Sequence, residues 1–284
     1  MSAWSSTVMG KTMLHLSKIL WEMGDAGQRM SQINAAEGAA GNISVFVRDL
    51  PPAEEHLFPF WFENGIRTPI SLPVTVPNLA GGWAIVSGSG KRMRDIATSP
   101  EMALCLLQIQ PGGETAILHM ADPSLRPTSE LNSHIAVHND RIAEQNLSYH
   151  TVLHAQPLHL TYLSHIDRYG DTKALNRHLL RWQPETILEF PEGIGVSPFE
   201  IPASAEQAQQ TVEILRQHRA VVWRRHGIVV RCDAGPRKAG DLVEYAEAAA
   251  QYEYLNLKAG EPSGGISDEE MRQMCQRFGI DYPM

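Results

Sequence analysis

The chain has 284 residues, of which 43% are hydrophobic and 20% charged, and its formal net charge is −8. This composition is typical of a globular protein and argues against a disordered chain or a coiled coil, while the acidic balance argues against a nucleic-acid partner. The three cysteines are far apart, which excludes a disulfide framework and a Cys-x-x-Cys metal knuckle, and no signal-like segment or apolar stretch of about 18 residues is present. These features predict a cytoplasmic protein with no membrane partner.

Hydrophobic spacing predicts a first helix over Met9–Met23, ended by Gly24 and Gly27. The proline-rich stretch from Pro51 to Pro77 is predicted to be an irregular excursion or an edge hairpin, and another element is expected to begin at Pro157. Strands are predicted at Ile43–Val47, Trp83–Ser87, Leu104–Gln108, Thr115–Met120, Thr151–His154, Ile187–Phe190 and Ala220–Trp223. Helices are predicted at Ser129–Gln145, Ser204–His218 and Arg237–Lys258, the last with a buried stripe from Leu242 to Leu255. Because strands and helices mix without a repeat or linker, we expect one α/β domain over residues 1–284.

Two glycine-rich turns are candidate anion sites. Ser87-Gly88-Ser89-Gly90-Lys91 follows a predicted strand, so backbone N–H groups, two hydroxyls and a lysine could surround a phosphate. The alternative is an ordinary flexible turn, since the spacing of a Walker loop is absent. Gly41-Asn42-Ile43-Ser44 is a second turn where glycine permits close backbone approach.

Several histidines are candidate metal ligands. His154 ends an apolar strand and His226 precedes Gly227, and either imidazole could reach a metal or simply be hydrogen-bonded at the sheet edge. His134 and His138 lie one helical turn apart and could also form a ligand pair, although the His-Glu-x-x-His arrangement is absent.

Glu130 lies in the first turn of a predicted helix, after Thr128 and Ser129, one of which is expected to cap that helix. A glutamate in the first turn of a helix is favoured by the helix dipole, and this position alone assigns no chemistry to it.

Taken in order, these motifs resemble the class II aldolase/adducin family, and within it the rhamnulose-1-phosphate aldolases. The matching motifs are Gly-Asn-Ile-Ser, Ser-Gly-Ser-Gly-Lys, Pro-Thr-Ser-Glu, a strand-end histidine, Phe-Pro-Glu-Gly-Ile-Gly and His-Gly. The resemblance runs from about residue 12 to residue 280. It implies a three-layer α/β/α fold with a mostly antiparallel central sheet, a homotetramer, and a bound Zn²⁺ or other divalent metal.

The resemblance also implies roles for individual residues. His154 and His226 match metal ligands, and Gln156 occupies the position of a third, histidine ligand. Glu130 matches an acid/base that can bind the metal when substrate is absent, and Glu185 matches a second carboxylate that reaches a neighbouring subunit's site. The residues that match phosphate-binding positions are Gly41, Asn42, Ser87, Gly88, Ser89, Gly90 and Ser129.

Gln156 leaves three outcomes open. The amide coordinates weakly, Glu130 or water fills the position, or the metal is lost, because an amide oxygen is a harder and weaker donor for zinc than imidazole. In an extended strand His154 and Gln156 project from the same face, so Gln156 can still point at the metal. His159 is the next candidate ligand.

The implied function is metal-dependent aldol cleavage of a phosphorylated sugar. The expected substrate is a deoxyketose 1-phosphate, with L-rhamnulose 1-phosphate the best single candidate, which would give dihydroxyacetone phosphate and L-lactaldehyde. Two alternatives are a sugar-phosphate epimerase or dehydratase of the same superfamily, and a non-catalytic, adducin-like interaction module.

Overall fold

The structure, a computed structural model, describes residues 15–50 and 58–281. Its centre is a nine-stranded sheet. The strands are β1 (Asn42–Val47), β2 (Ile66–Ser71), β3 (Trp83–Ser87), β4 (Leu104–Ile109), β5 (Thr115–Met120), β6 (Tyr149–Ala155), β7 (Gly195–Ser197), β8 (Ala220–Trp223) and β9 (Gly227–Cys232). Their order in the sheet is β2-β5-β4-β3-β1-β6-β9-β8-β7, and only β7 and β8 pair in parallel. In the described residues, no helix is long and apolar enough to cross a membrane.

Helices cover both faces of this sheet. They are α1 (Leu16–Gln32), α2 (Pro59–Phe62), α3 (Pro100–Ala103), α4 (Leu131–Gln145), α5 (Leu158–Leu163), α6 (Thr172–Leu179), α7 (Pro184–Glu189), α8 (Ala205–Leu215), α9 (Pro236–Lys258) and α10 (Asp268–Phe278). The α/β class with three layers and a mostly antiparallel sheet, expected from the sequence, is confirmed.

Strand β1 shows how the two faces are divided. All six residues are buried, because side chains alternate between two covered faces. Ile43 and Val45 pack in the core cluster that contains α1 and α9, whereas Phe46 packs in the cluster that contains α4. Asn42 and Ser44 share the face of Phe46, so both polar side chains are directed into the layer of α4.

The first predicted helix ends in the wrong place. Helix α1 continues through Gly24 and Gly27 to Gln32, and the predicted stretch Met9 to Leu14 lies outside the described residues. A Cβ on Gly24 would lie 2.8 Å from Cα of Ala97, and one on Gly27 would lie 2.2 Å from the carbonyl oxygen of Met93. These glycines therefore permit close packing against the 3₁₀ segment Met93–Ala97 and do not end the helix.

The predicted strand at Ile187–Phe190 is also wrong, because Pro184–Glu189 forms α7. Periodicity does not separate a strand from a helix over so short an apolar run, whereas Pro184 at the first helical position is a helix signal. The stretch from Pro51 to Pro77 contains α2 and the edge strand β2, which pairs with β5, while residues 51–57 lie outside the described part. The predicted stripe on α9 is buried at Leu242 but exposed at Leu255.

The remaining predicted strands and helices are confirmed within a few residues. The prediction missed β7, β9, α2, α3, α6 and α10, and the element expected from Pro157 is the short helix α5.

Candidate functional site

The candidate residues lie at one end of the sheet. Asn42, the first residue of β1, pairs with His154 near the end of β6, and Ser87 ends the neighbouring strand β3. His226 directly precedes β9, which pairs with β6. Antiparallel pairing thus brings together four segments that are far apart in the sequence.

Glu130 is brought to this end by the segment that precedes α4. The backbone N–H of Thr128 donates to the carbonyl of Ser87 at 2.9 Å, and Gly88 forms an isolated bridge with Pro127. Glu130 is the N-cap residue of α4, and its own N–H donates to the Thr128 hydroxyl at 3.4 Å. The predicted capping of α4 by Thr128 or Ser129 is therefore wrong, because Glu130 is itself the N-cap residue. The turn before α4 directs the buried Glu130 side chain toward the sheet.

The Glu130 carboxylate is surrounded by donors and imidazoles. Asn42 Nδ2 donates to Oε2 at 2.8 Å, His154 Nε2 lies 3.7 Å from Oε2, and His226 Nε2 lies 3.5 Å from Oε1. Burial raises the pKa of Glu130, but His154, the Asn42 hydrogen bond and His226 together outweigh it, so the pKa lies below its ordinary value. The carboxylate is therefore ionised at neutral pH.

His154 is oriented as a metal ligand. Its Nδ1 lies 3.0 Å from the carbonyl oxygen of Ile228, and since a carbonyl only accepts, Nδ1 carries the proton. The lone pair of Nε2 then faces Glu130 and His226. A backbone carbonyl that orients the ring in this way is the usual partner of a metal-binding histidine.

His226 is held by a tight turn and by aromatic contacts. Arg225 has a φ of 64°, in the left-handed region, and its N–H donates to Ser164 Oγ at 2.8 Å. The His226 ring stacks on Trp223 with centroids 5.2 Å apart, and its Nδ1 lies 3.4 Å from the Gln207 amide nitrogen. A Cβ on Gly227 would lie 2.3 Å from the carbonyl oxygen of Ala155 and 3.0 Å from His154 Cε1, so glycine is required for this close approach to the end of β6.

These three side chains form a possible metal site. One ligand atom from each of Glu130, His154 and His226 lies within 4.8 Å of the others, the only such cluster of histidine, cysteine, aspartate or glutamate in the described residues. Two imidazoles and a carboxylate suit zinc and other borderline divalent metals. Burial and repulsion from His154 lower the pKa of His226 to about 4, which keeps that ring neutral and able to coordinate at physiological pH.

Gln156 lies beside this cluster. Its Cγ and Cε1 of His154 would both contact a Cβ on Gly227, at 3.2 and 3.0 Å. Among the described residues its amide makes no hydrogen bond, although its backbone N–H donates to the carbonyl of Ala35 at 2.7 Å. His159 belongs elsewhere, because its Nδ1 lies 2.7 Å from Glu247 Oε1 on α9.

The expected phosphate-binding residues surround the same end of the sheet. The Ser87 hydroxyl donates to the Ile43 carbonyl at 3.2 Å, and the N–H groups of Gly88 and Ser89 donate to the carbonyls of Ala103 and Arg126. These groups, like the amide of Asn42, already donate hydrogen bonds within the protein. Gly41 is buried beside Asn42, whereas the exposed residues Ser89, Gly90 and Ser129 remain accessible to a ligand.

Glu185 lies apart from this cluster. It is exposed in the first turn of α7, and none of the hydrogen bonds or ion pairs of the described residues links it to Glu130, His154 or His226. Its predicted role across a subunit boundary stays a prediction.

Two further residues near the site were assigned differently from the sequence. His134 and His138 were candidate ligands, but both are buried and hydrogen-bond to Ser44 of β1. His134 also contacts Asn42 Oδ1, so it reaches the site only through another side chain. Trp223, which stacks on His226, had no signal in the sequence beyond its place in a strand.

Comparisons with known proteins identify the family of this chain. A rhamnulose-1-phosphate aldolase of Bacteroides thetaiotaomicron is 29% identical over 266 residues, which cover 93% of this chain and 96% of that protein, and one of Listeria monocytogenes is 28% identical over 262 residues, covering 92% and 93%. The crystal structure of a sugar-phosphate aldolase from Thermotoga maritima superposes with a TM-score of 0.72 at 26% identity, covering 88% of this chain and 99% of that one. The model of the class II aldolase and adducin N-terminal domain matches residues 22–254. The chain therefore belongs to the class II aldolase and adducin N-terminal domain family.

Proposed function

We propose that this protein is a metal-dependent aldolase that cleaves a ketose 1-phosphate. The observation that carries the proposal is the cluster of Glu130, His154 and His226 at one end of the sheet. It combines a ligand set for a divalent metal with an ionised carboxylate, and the rhamnulose-1-phosphate aldolases of Bacteroides thetaiotaomicron and Listeria monocytogenes are similar over more than nine-tenths of the chain. These relatives make L-rhamnulose 1-phosphate the first substrate to test, with dihydroxyacetone phosphate and L-lactaldehyde as the products.

His154 and His226, with the Glu130 carboxylate in the resting enzyme, would hold Zn²⁺ or another divalent metal. When bound, such a metal acts as a Lewis acid that stabilises negative charge on the oxygens of the substrate. No lysine Schiff base is then required. The ring proton on His154 Nδ1, held by the Ile228 carbonyl, keeps the Nε2 lone pair directed into the site.

Glu130 is assigned the proton chemistry. Cleavage between C3 and C4 leaves an electron pair on C3, which must receive a proton, while the C4 hydroxyl loses its proton as the aldehyde forms. We assign proton transfer at C3 to Glu130, whose carboxylate, ionised at rest, takes up a proton from solvent before it delivers one to C3. Glu185 of a neighbouring subunit is proposed as the second proton-transfer group in a homotetramer, which its exposure permits.

The substrate phosphate is proposed to bind at the glycine turns. Ser89, Gly90 and Ser129 are exposed there, and Gly41, Asn42, Ser87 and Gly88 form the buried wall behind them. Binding energy from the phosphate would hold the reacting carbons against Glu130. The continuous sheet supports the proposal of one domain.

The test combines metal analysis with a product assay on protein purified without chelator. We expect a divalent metal bound to each chain, retro-aldol products from L-rhamnulose 1-phosphate, and loss of activity on chelation that the metal restores. A product with an unbroken carbon chain would favour an epimerase or dehydratase, and absence of both metal and turnover would favour an adducin-like interaction module. Glu130→Gln, which is nearly isosteric, should lower kcat by about 10²–10⁴-fold without a matching loss of stability. A wild-type cleavage rate in this variant would contradict the assignment.

A further inference from the structure

A chain of buried polar side chains runs from the candidate site into the layer between the sheet and α4. Asn42 contacts Glu130 on one side and His134 on the other. His134 Nδ1 lies 2.6 Å from Ser44 Oγ, which lies 2.7 Å from His138 Nε2. His138 Nδ1 then lies 2.8 Å from His150 Nδ1, whose other ring nitrogen is 3.8 Å from Asp233 Oδ1.

The three histidines in this series of hydrogen-bonded side chains, His134, His138 and His150, are neutral. Their exposure is 0 to 1%, as is that of Ser44. Burial, with repulsion from His138, lowers the pKa of His134 to about 3, and burial, with repulsion from Arg231, lowers that of His150 to about 3. Burial and repulsion from His150 hold the pKa of His138 well below its ordinary value. Each ring therefore carries one proton, on one of its two nitrogens.

The Asn42 amide, whose Nδ2 donates to Glu130 Oε2 at 2.8 Å, determines where each proton lies. A carboxylate only accepts, so Asn42 presents its NH₂ group to Glu130 and its oxygen to His134. His134 must then carry its proton on Nε2, and its bare Nδ1 accepts from the hydroxyl of Ser44.

The same reasoning continues to the end of the chain. Because the Ser44 proton is used on His134, the Ser44 oxygen accepts from the Nε2 proton of His138. The bare Nδ1 of His138 accepts in turn from the Nδ1 proton of His150. All five hydrogen bonds then donate in one direction, toward Glu130.

We propose that Ser44, His134, His138 and His150 are positioning residues that lock the side-chain amide of Asn42 with its NH₂ group on Glu130. The proposal rests on the proposed role of Glu130 in catalysis. A lone amide can turn over and present its oxygen to the carboxylate, which would repel it. Here a reversed Asn42 amide would turn its NH₂ group toward the Nε2 proton of His134. The donor and acceptor of every further hydrogen bond, from His134 to His150, would then have to exchange as well. These four side chains thus hold the Glu130 carboxylate in one hydrogen-bonded position without touching the substrate.

The tautomers of the histidines test this proposal without any assay of activity. Nitrogen-15 NMR of the wild-type protein, labelled at histidine and assigned with single-histidine variants, should show the proton of His134 and His138 on Nε2 and that of His150 on Nδ1. The opposite tautomer at His134 would overturn the proposal, whether or not the protein proves to be an aldolase.

A double-mutant cycle tests whether Ser44 acts through Asn42. Ser44→Ala should lower kcat about 10-fold or more, as expected for a lost restraint on a charged hydrogen bond, with a smaller change in KM. In the Asn42→Ala background the same substitution should change kcat by less than about 2-fold. An equal loss in both backgrounds would overturn the proposal, because Ser44 would then act independently of Asn42.

Ser133→Ala is the matched control. Ser133 is also a buried serine, on α4, and its hydroxyl has no hydrogen-bond partner in the described residues. It should leave kcat and the His134 tautomer unchanged in both backgrounds. If Ser44→Ala does not fold, Ser44→Cys keeps a weak donor and should give an intermediate kcat, and the wild-type tautomers still decide the question.

Discussion

Acidification should destabilise the protein through His134, His138 and His150. All three are buried and neutral, with pKa values lowered by burial, so they bind no additional proton in the folded state. In the unfolded chain each binds a proton with a pKa near 6.5. The stability that these histidines contribute is therefore fully present above about pH 6.5 and is lost as the pH falls toward their folded pKa values.

The size of this loss of stability follows from how far the pKa values of the three histidines are lowered. A histidine with a pKa of about 3 in the folded protein loses about 2 kcal/mol of stability between about pH 7.5 and about pH 5. His134 and His150 together lose about 4 kcal/mol, and His138 adds to the loss in the same direction. Since a typical protein is stable by about 5–15 kcal/mol, this loss is a large part of the total.

Denaturant unfolding across this pH range measures the effect. The protein should be kept metal-free with a chelator, so that protonation of His154 or His226 does not add the release of a metal. We expect the unfolding free energy to fall by about 4 kcal/mol or more from about pH 7.5 to about pH 5. Unfolding should take up about three to four protons near the lower end, because metal-free His226, whose pKa is lowered to about 4, adds to the three buried histidines. His150→Gln should reduce that uptake by about one proton, whereas His165→Gln, at an exposed position, should not. A fall below about 1 kcal/mol would refute the reasoning.

Three further predictions concern the site. Gln156→His should slow zinc loss during dialysis against a chelator, because imidazole is a better zinc ligand than an amide; equal retention in wild type would show that another ligand completes the site. Ser89→Ala should raise KM for the phosphorylated substrate about 10-fold, and inorganic phosphate should compete with that substrate in the wild type; equal cleavage of the unphosphorylated ketose would contradict phosphate binding there. Inactive Glu130→Gln and Glu185→Gln chains should regain activity when mixed and reassembled, and no recovery after confirmed subunit exchange would argue against a shared site.

The sequence was most informative where residue type, spacing and the order of motifs agreed. Strands β3 and β5 and helix α4 were predicted closely from their apolar patterns. The pairing of Asn42 with His154 was not, because register depends on which strands become neighbours in the sheet. Helix α1 was misjudged because a glycine that ends a helix and a glycine that permits close packing look alike in a single sequence.

The histidine chain was also beyond the reach of local pattern. His134 and His138 at a spacing of four predict a shared helix face, and that much is correct. Whether the face meets a metal or Ser44 depends on the strand packed beneath it, and Ser44 lies 90 residues away from His134 in the sequence. A histidine pair at a spacing of four can therefore bind a metal or hydrogen-bond to a neighbouring strand, and only the tertiary contact distinguishes the two cases.

The identity of the third metal ligand also differs between the sequence motif, which indicates Gln156, and the tertiary contacts, which indicate Glu130. The order of motifs placed Gln156 at a histidine position and so pointed to a weakened site. In the structure the Glu130 carboxylate already lies 3.7 and 3.5 Å from His154 and His226, brought there by the bond from Thr128 to Ser87. An oxygen that receives a proton during turnover gives up most of its strength as a ligand, because the protonated acid is a poor donor to a metal. The amide of Gln156 therefore matters most when Glu130 is engaged in catalysis, and Gln156→His should protect against chelation more strongly during turnover than at rest.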